Sequence, residues 1–370
     1  MLAPEGGETM PGATTAGTAA YAKRFEARAA PGHFREAFGL TLSSIGLGTY
    51  LGREDDATDR GYRDSVLAAV RGGINVIDSA INYRLERSER AVAQALTELA
   101  AQGIGRSEIV VATKGGYIPA RDPEDYFRRH ILGAGLARLE DLVAGCHCLA
   151  PGYLRHQLET SLRNLDVETV DIYYLHNPEQ QLEELEPADF QARLRAAFEG
   201  LEAAVAAGRV GVYGTATWNG YRVPPGSPGA LSLDALVKLA RDVAGGSHHF
   251  RVLQLPFNLG MTEAFGHATQ SVGGSPASLL EAAGELGIAV MTSASILQGR
   301  LARGLPSSLG EAFPGLTSDA QRALQFTRST PGVTTALVGM SRVAHVEENL
   351  GLVGVAPLAG EAIAPLFHPA

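Results

Sequence analysis

Cysteine is almost missing from this chain. Two occur among 370 residues, Cys146 and Cys148, too few for a disulfide scaffold and in keeping with a reducing cytoplasm. His147 stands between them, yet a metal site needs about four ligands. No second cluster accompanies "GCHC", so no metal is expected. Long apolar runs are lacking too: nowhere do about 18 apolar residues follow one another, so no membrane-spanning helix is expected. The first 32 residues, from "MLAPEGGETMPG" to "ARAAPG", lack the charged-then-apolar order of a secretory signal. Rich in Gly, Ala, Thr and Pro, they read as a mobile arm before a single domain over 33–370. Basic charge is not in excess either. A net charge of −9 argues against nucleic acid or an anionic membrane as partner and leaves a small molecule.

What is present is a hydrophobic fraction of 45% arranged as a repeating alternation. Short strand-like runs are each followed by an Ala- and Leu-rich amphipathic stretch, the pattern of βα units on a parallel sheet. Eight strands are expected at 44–50, 75–80, 108–113, 170–175, 210–215, 252–257, 288–293 and 334–339. Helices are expected at 60–72, 86–102, 152–165, 190–207, 232–244, 276–286, 318–328 and 342–350. Eight repeats predict a (β/α)8 TIM barrel, whose site lies at the strand C-termini. A short hairpin at 34–42 is expected to plug the other end. Two connections, 115–151 and 216–231, are too long for simple turns and are placed over the strand C-termini, where they could shape a pocket.

The stretch "GGINVIDSAINY" (72–83) puts a carboxylate, Asp78, at the end of a hydrophobic strand and a phenol, Tyr83, five residues later. Reading past the next two strand ends adds Lys114 and His176. Each residue alone has an ordinary structural explanation; their occurrence at three successive strand ends of a barrel is what carries weight. Together they suit delivery of a proton to a carbonyl oxygen while a hydride reaches its carbon. Tyr83 would be the acid, with Lys114 lowering its pKa from near 10. Asp78 would offset the charge of Lys114 in a partly apolar mouth. His176 would orient the carbonyl within bonding reach of the acid.

These segments resemble the aldo-keto reductase superfamily over about residues 34–350. "GINVIDSAINY" is similar to its Gly-x-Asn-x-x-Asp-[Ser/Thr]-Ala-x-x-Tyr signature, "VVATKGG" (110–116) to the strand ending in its catalytic lysine, and "LETSLRNLDVETVDIYYLHNPE" (158–179) to the segment presenting its catalytic histidine. The resemblance implies a catalytic tetrad of Asp78, Tyr83, Lys114 and His176, and NADPH, with NADH the lesser choice, laid across the barrel top. "QLPFNL" implies that Gln254 bonds the nicotinamide amide and that Phe257 stacks on its ring. "SASILQGRL" implies Ser293, Ser295 and Gly299 over the pyrophosphate. "PGVTTALVGMSRVAHVEENL" implies Gly339, Ser341 and Arg342 at the adenosine phosphate, with Glu348 and Asn349 at the adenine. Arg342 suits the additional phosphate of NADP.

Two departures stand out. The family's glycine after the tyrosine is Arg84, and its Gly-x-Ser-Asn is Gly214-Thr215-Ala216-Thr217, which leaves Thr217 as the amide contact. Tyr117 and Trp218 would line the substrate pocket. A nucleotide-binding regulatory or sensor subunit on the same fold is the alternative from another class. A metal-dependent hydrolase is disfavoured because Asp and His are not clustered at the strand ends.

Overall fold

The computed structural model describes residues 12–367. The opening residues 1–11 of the expected arm lie outside the described residues. In chain order, α1 (Thr15–Arg24) precedes a hairpin of β1 (Phe34–Ala37) and β2 (Leu40–Ser43). Then come β3 (Ile45–Gly48), α2 (Asp56–Gly72), β4 (Val76–Asp78), α3 (Arg87–Ala101), β5 (Val110–Gly115) and a short α4 (Pro123–Tyr126). The chain continues through α5 (Pro151–Leu165), β6 (Val170–His176), α6 (Pro187–Ala206), β7 (Val210–Ala216), α7 (Leu233–Ala244) and β8 (Phe250–Pro256). A short α8 (Glu263–Gly266) and a small hairpin of β9 (Gln270–Val272) and β10 (Ser275–Ala277) lead to α9 (Leu279–Leu286) and β11 (Ala289–Ser293). Finally α10 (Ser308–Ala312), α11 (Asp319–Ser329), β12 (Val333–Gly339) and α12 (Val343–Leu350) complete the layer.

The eight strands β3–β8, β11 and β12 close into one parallel barrel in which β12 pairs with β3. All eight strand and eight helix expectations find their element. Local chemistry explains the boundaries. Asp55 caps α2 by accepting from Thr58 N at 2.8 Å, and the helix ends where Gly73 adopts φ +110°. Ser278 and Glu281 form a reciprocal capping box at the start of α9. At Gly214 a side chain is sterically impossible, since a Cβ would sit 1.6 Å from the carbonyl oxygen of Val252.

Successive side chains of a strand point to opposite faces, and this parity sorts the core. Val76, Ala112, Tyr174, Val252, Met291 and Leu337 share the barrel interior, closed from below by Leu42 of the hairpin. Ile77, Val111, Tyr173, Leu175 and Leu253 face the helices instead. One further step in the inward register brings Asp78, Lys114, His176, Gln254, Ser293 and Gly339 to the top layer.

The expected mobile arm needs correction. Residues 15–24 form a helix, capped by Thr14 accepting from Gly17 N at 2.9 Å. Tyr21 and Phe25, four apart and so on one helical face, are buried in the main core, and the Tyr21 hydroxyl donates to the carbonyl of Val70 on α2. Small polar residues outnumber these two aromatics in the segment, but the aromatics supply the apolar area that docks it.

Candidate active site

At the top of β4, both oxygens of Asp78 are engaged. Lys114 Nζ donates to Oδ2 at 2.6 Å and to the carbonyl of Ser79 at 2.7 Å, and Gln254 Nε2 donates to Oδ1 at 2.8 Å. Lys114 is 1% exposed, so an unpaired ammonium here would be costly; the carboxylate and carbonyl resolve that. Tyr83 does not belong to a strand. It sits in the turn after β4, its ring 4.8 Å from Lys114 Nζ, 5.0 Å from the Tyr50 ring and 5.9 Å from His176. Acid, ammonium, phenol and imidazole therefore meet at one end of one cleft.

The electrostatics differ in one respect from the sequence expectation. Burial, reinforced by Asp78, Tyr50 and Tyr62, pushes the Tyr83 phenol well above its usual value. The Lys114 ammonium, bonded to Asp78 and Ser79 and 4.8 Å from the centre of the Tyr83 ring, does not reverse that rise. Burial likewise pulls Lys114 down, opposed by Asp78. It also holds His176 well below the usual imidazole value, with help from the Lys114 charge. A neutral phenol is a proton donor, and a neutral imidazole still offers one N–H.

Arg84 has a physical account. It takes φ +49°, followed by Leu85 at +54° and Glu86 at +68°, a conformation that favours glycine. What offsets the strain is its side chain. Buried, it ion-pairs with Asp59 of α2, bonds Ser88 Oγ at 3.1 Å and lies 4.9 Å over the Tyr62 ring.

The cleft runs from these residues across the barrel top, with a volume of about 870 Å³. Thr217, Gln254, Ser293, Ser295 and Gly299 line it, as do Gly339, Ser341, Glu348 and Asn349 at its far end. Tyr117 and Trp218 stand at the near end. Four buried polar atoms on its wall have no protein partner among the described residues: Asn82 Oδ1, His176 Nδ1, Thr217 Oγ1 and Asn349 Oδ1. Such atoms are costly unless a ligand or water bonds them, and two of them, Thr217 and Asn349, flank the stretch expected to hold a dinucleotide. The residues present fit that group.

Two assigned residues lie elsewhere. Phe257 does not line the cleft. Gln254 and Pro256 share the inward face of β8, so Phe257 falls on the opposite side, where it is wholly buried with its ring 6.0 Å from that of Phe326 and parallel within 6°. Stacking on a nicotinamide is thereby ruled out for it in this arrangement. Arg342 is exposed at the N-cap of α12, just outside the wall formed by Ser341.

Several wall residues escaped the sequence reading. Tyr50 and Leu51 follow β3 and are 55% and 42% exposed at the cleft; the expected strand 44–50 enclosed Tyr50, and Leu51 just past it carries no polar group to mark it. Asn82 was hidden inside the signature. The setting of Trp218 depends on a distant acid, Glu179, whose Oε1 accepts from the backbone N–H groups of Trp218, Asn219 and Gly220 at 2.9, 3.3 and 3.4 Å. Among the described residues no group of three His, Cys, Asp or Glu side chains is placed to hold a metal ion, and no helix is long and apolar enough to cross a membrane.

Residues 44–223, which carry all four strand-end groups, match the aldo/keto reductase family model. Over these residues the chain is similar to the aldo/keto reductase family. The NADH-specific methylglyoxal reductase of Escherichia coli K12 is 32% identical over 142 residues, 37% of this chain and 39% of that protein. The chain thus aligns with well under half of that relative's length. A protein of Arabidopsis thaliana named as a probable voltage-gated potassium channel subunit beta is 25% identical over 340 residues, 86% of this chain and 90% of its own. Among solved structures, an aldo/keto reductase from Klebsiella pneumoniae in complex with NADP and acetate has a TM-score of 0.58 at 22% identity, covering 89% of this chain and 91% of that one. At that identity the aldo/keto reductase likeness shows the barrel alone.

Proposed function

We propose that this chain is an NADPH-dependent aldo/keto reductase that reduces an aldehyde or ketone to an alcohol, or runs the reverse oxidation. The observation that carries this reading is the meeting of Tyr83, His176 and the Lys114–Asp78 pair at one end of a cleft of about 870 Å³. Thr217 and Gln254 would hold the nicotinamide end, Ser293, Ser295 and Gly299 the pyrophosphate, and Gly339, Ser341, Glu348 and Asn349 the adenosine. A nicotinamide held there would supply the hydride. Tyr83, kept protonated by burial, would give its proton to the carbonyl oxygen. His176, neutral, would donate a hydrogen bond that orients the same oxygen, and Lys114, held by Asp78, would stabilise the phenolate that forms.

The exposed guanidinium of Arg342 supports NADPH over NADH, because it is free to grip an additional phosphate at the cleft's far rim. The free thiols Cys146 and Cys148 favour a reducing compartment such as the cytoplasm. Tyr83→Phe should leave NADPH binding intact and remove turnover on a panel of aldehydes and ketones. Undiminished turnover in that variant would exclude Tyr83 as the donor. A second reading, a nucleotide-binding sensor subunit, draws on the similarity to the plant channel-subunit protein. Single-turnover oxidation of bound NADPH separates the two: a sensor leaves the cofactor reduced whatever carbonyl is added.

A further inference from the structure

The 115–151 connection reaches into the site from behind. Asn177 N–H donates to the carbonyl of Ala216 on β7, so the carbonyl of the same peptide, that of His176, points the other way, toward β5. There β5 has already ended at Gly115, paired with Leu175, and no strand remains to receive the bond. His147 takes that place. Its Nε2 lies 2.7 Å from the His176 carbonyl oxygen, and since a carbonyl only accepts, Nε2 carries the proton. Its Nδ1 accepts from Gln181 Nε2 at 2.8 Å. Arg193 fixes the orientation of that amide by donating to Gln181 Oε1 at 2.6 Å, and is itself anchored on Asp141 at 3.1 Å.

These bonds admit one tautomer of His147. The side chain is wholly buried, and burial pulls its pKa to about 4, which keeps the ring neutral near pH 7. The Tyr117 ring meets both imidazoles edge-on, 4.8 Å from His147 and 5.0 Å from His176. Gly116, at φ +136°, makes the approach feasible, because a Cβ there would lie 2.7 Å from His147 Nε2. The backbone is pinned in turn by Cys148 N to Gly116 O at 2.9 Å and Val143 N to His147 O at 2.8 Å.

We propose that His147 is a positioning residue of the reductase site: its Nε2–H caps the open carbonyl of His176 and its ring backs Tyr117, so that the imidazole and the substrate-facing phenol keep one geometry. The proposal rests on the reductase reading above. The test compares His147→Phe, which keeps ring volume but has neither donor nor acceptor, with His147→Gln, which keeps both. His147→Phe should lose kcat about 10- to 50-fold with KM for NADPH within twofold, and His147→Gln should recover most of that loss at an equal or lower melting temperature. A folded His147→Phe retaining more than half of the wild-type kcat overturns the proposal, as does an equal kcat loss in both variants. Nitrogen-15 NMR of the wild-type imidazoles, assigned by difference from His147→Phe, adds a readout independent of turnover. An Nε2–H signal for His147 at pH 7 supports the proposal, and an Nδ1–H signal overturns it. If wild type turns over no carbonyl, the reductase reading is what has failed, and the tautomer alone decides whether His147 holds His176.

Discussion

Lys114 Nζ lies 2.6 Å from Asp78 Oδ2 and 4.8 Å from the centre of the Tyr83 ring, so the buried ammonium is neutralised from one side and presents its charge to the phenol ring on the other. The arrangement separates two tasks. Asp78 makes the charge tolerable in a dry site, and the charge then faces the group that must become an anion when it gives up its proton. Asp78→Asn should therefore damage both stability and chemistry. It removes the carboxylate from a fully buried ammonium, a loss of about 3–5 kcal/mol for breaking such a pair, and denaturant melts should show it. In the fraction that folds, kcat for carbonyl reduction should drop at least tenfold. A variant with wild-type stability and kcat would mean that the pair has neither role.

Stability should fall on mild acidification, and the direction follows from two buried histidines. Burial lowers both His33 and His147 to about 4 from an ordinary value of 6.5. Above pH 6.5 both are neutral whether the chain is folded or not, and they contribute no pH dependence. Between pH 6.5 and about 4 the unfolded chain takes up protons that the folded chain refuses, so stability is lost as pH falls, by up to about 3 kcal/mol per group. His176 acts in the same direction. Urea denaturation at pH 7 and pH 4.5 should give a smaller unfolding free energy at the lower pH, and the difference should shrink in His147→Phe. Equal values at the two pH settings would contradict this.

Glu179 touches no part of the reacting end directly, yet its carboxylate gathers three consecutive backbone N–H groups beneath Trp218. Bonds to an ionised acceptor are the stronger kind. Trp218 is 42% exposed, so the loop rather than side-chain packing sets where its indole stands. In Glu179→Ala we expect KM for the carbonyl substrate to rise about tenfold, equivalent to about 1.4 kcal/mol. NADPH affinity and kcat should stay within twofold. A change confined to kcat would assign Glu179 a different role.

How much of this was legible beforehand depends on which physical signal each residue carried. The barrel was legible because parity and helical periodicity repeat eight times, and a repeated pattern survives an error in any one unit. Asp78, Lys114 and His176 were legible for the same reason, each being one inward step beyond an apolar strand residue. Phe257 was misplaced because motif similarity ignored that parity: three positions after Gln254 lies on the other face. The helix at 15–24 was missed because composition averaged over a segment hides two aromatics on one face. Trp218 was found but its support was not, since Glu179 and Trp218 are 39 residues apart and only the fold brings them together. The pKa of Tyr83 was misjudged for a related reason: burial, the largest cause of its shift, is a property of the assembled site.

Arg84 offers the sharpest separation of backbone from side-chain effects. Its left-handed φ of +49° favours glycine, while its buried guanidinium bonds Asp59 and Ser88 and stacks on Tyr62. Both Arg84→Ala and Arg84→Gly lose the ion pair, the hydrogen bond and the stacking. Only Arg84→Ala retains a β-carbon in the left-handed conformation, so it should be the less stable of the two by about 1 kcal/mol. Both should be less stable than wild type, because Asp59 keeps only its bond to Arg87. Paired denaturation curves decide the matter. If Arg84→Ala equals or exceeds Arg84→Gly in stability, the backbone at 84 is not what the glycine of related sequences is there to satisfy.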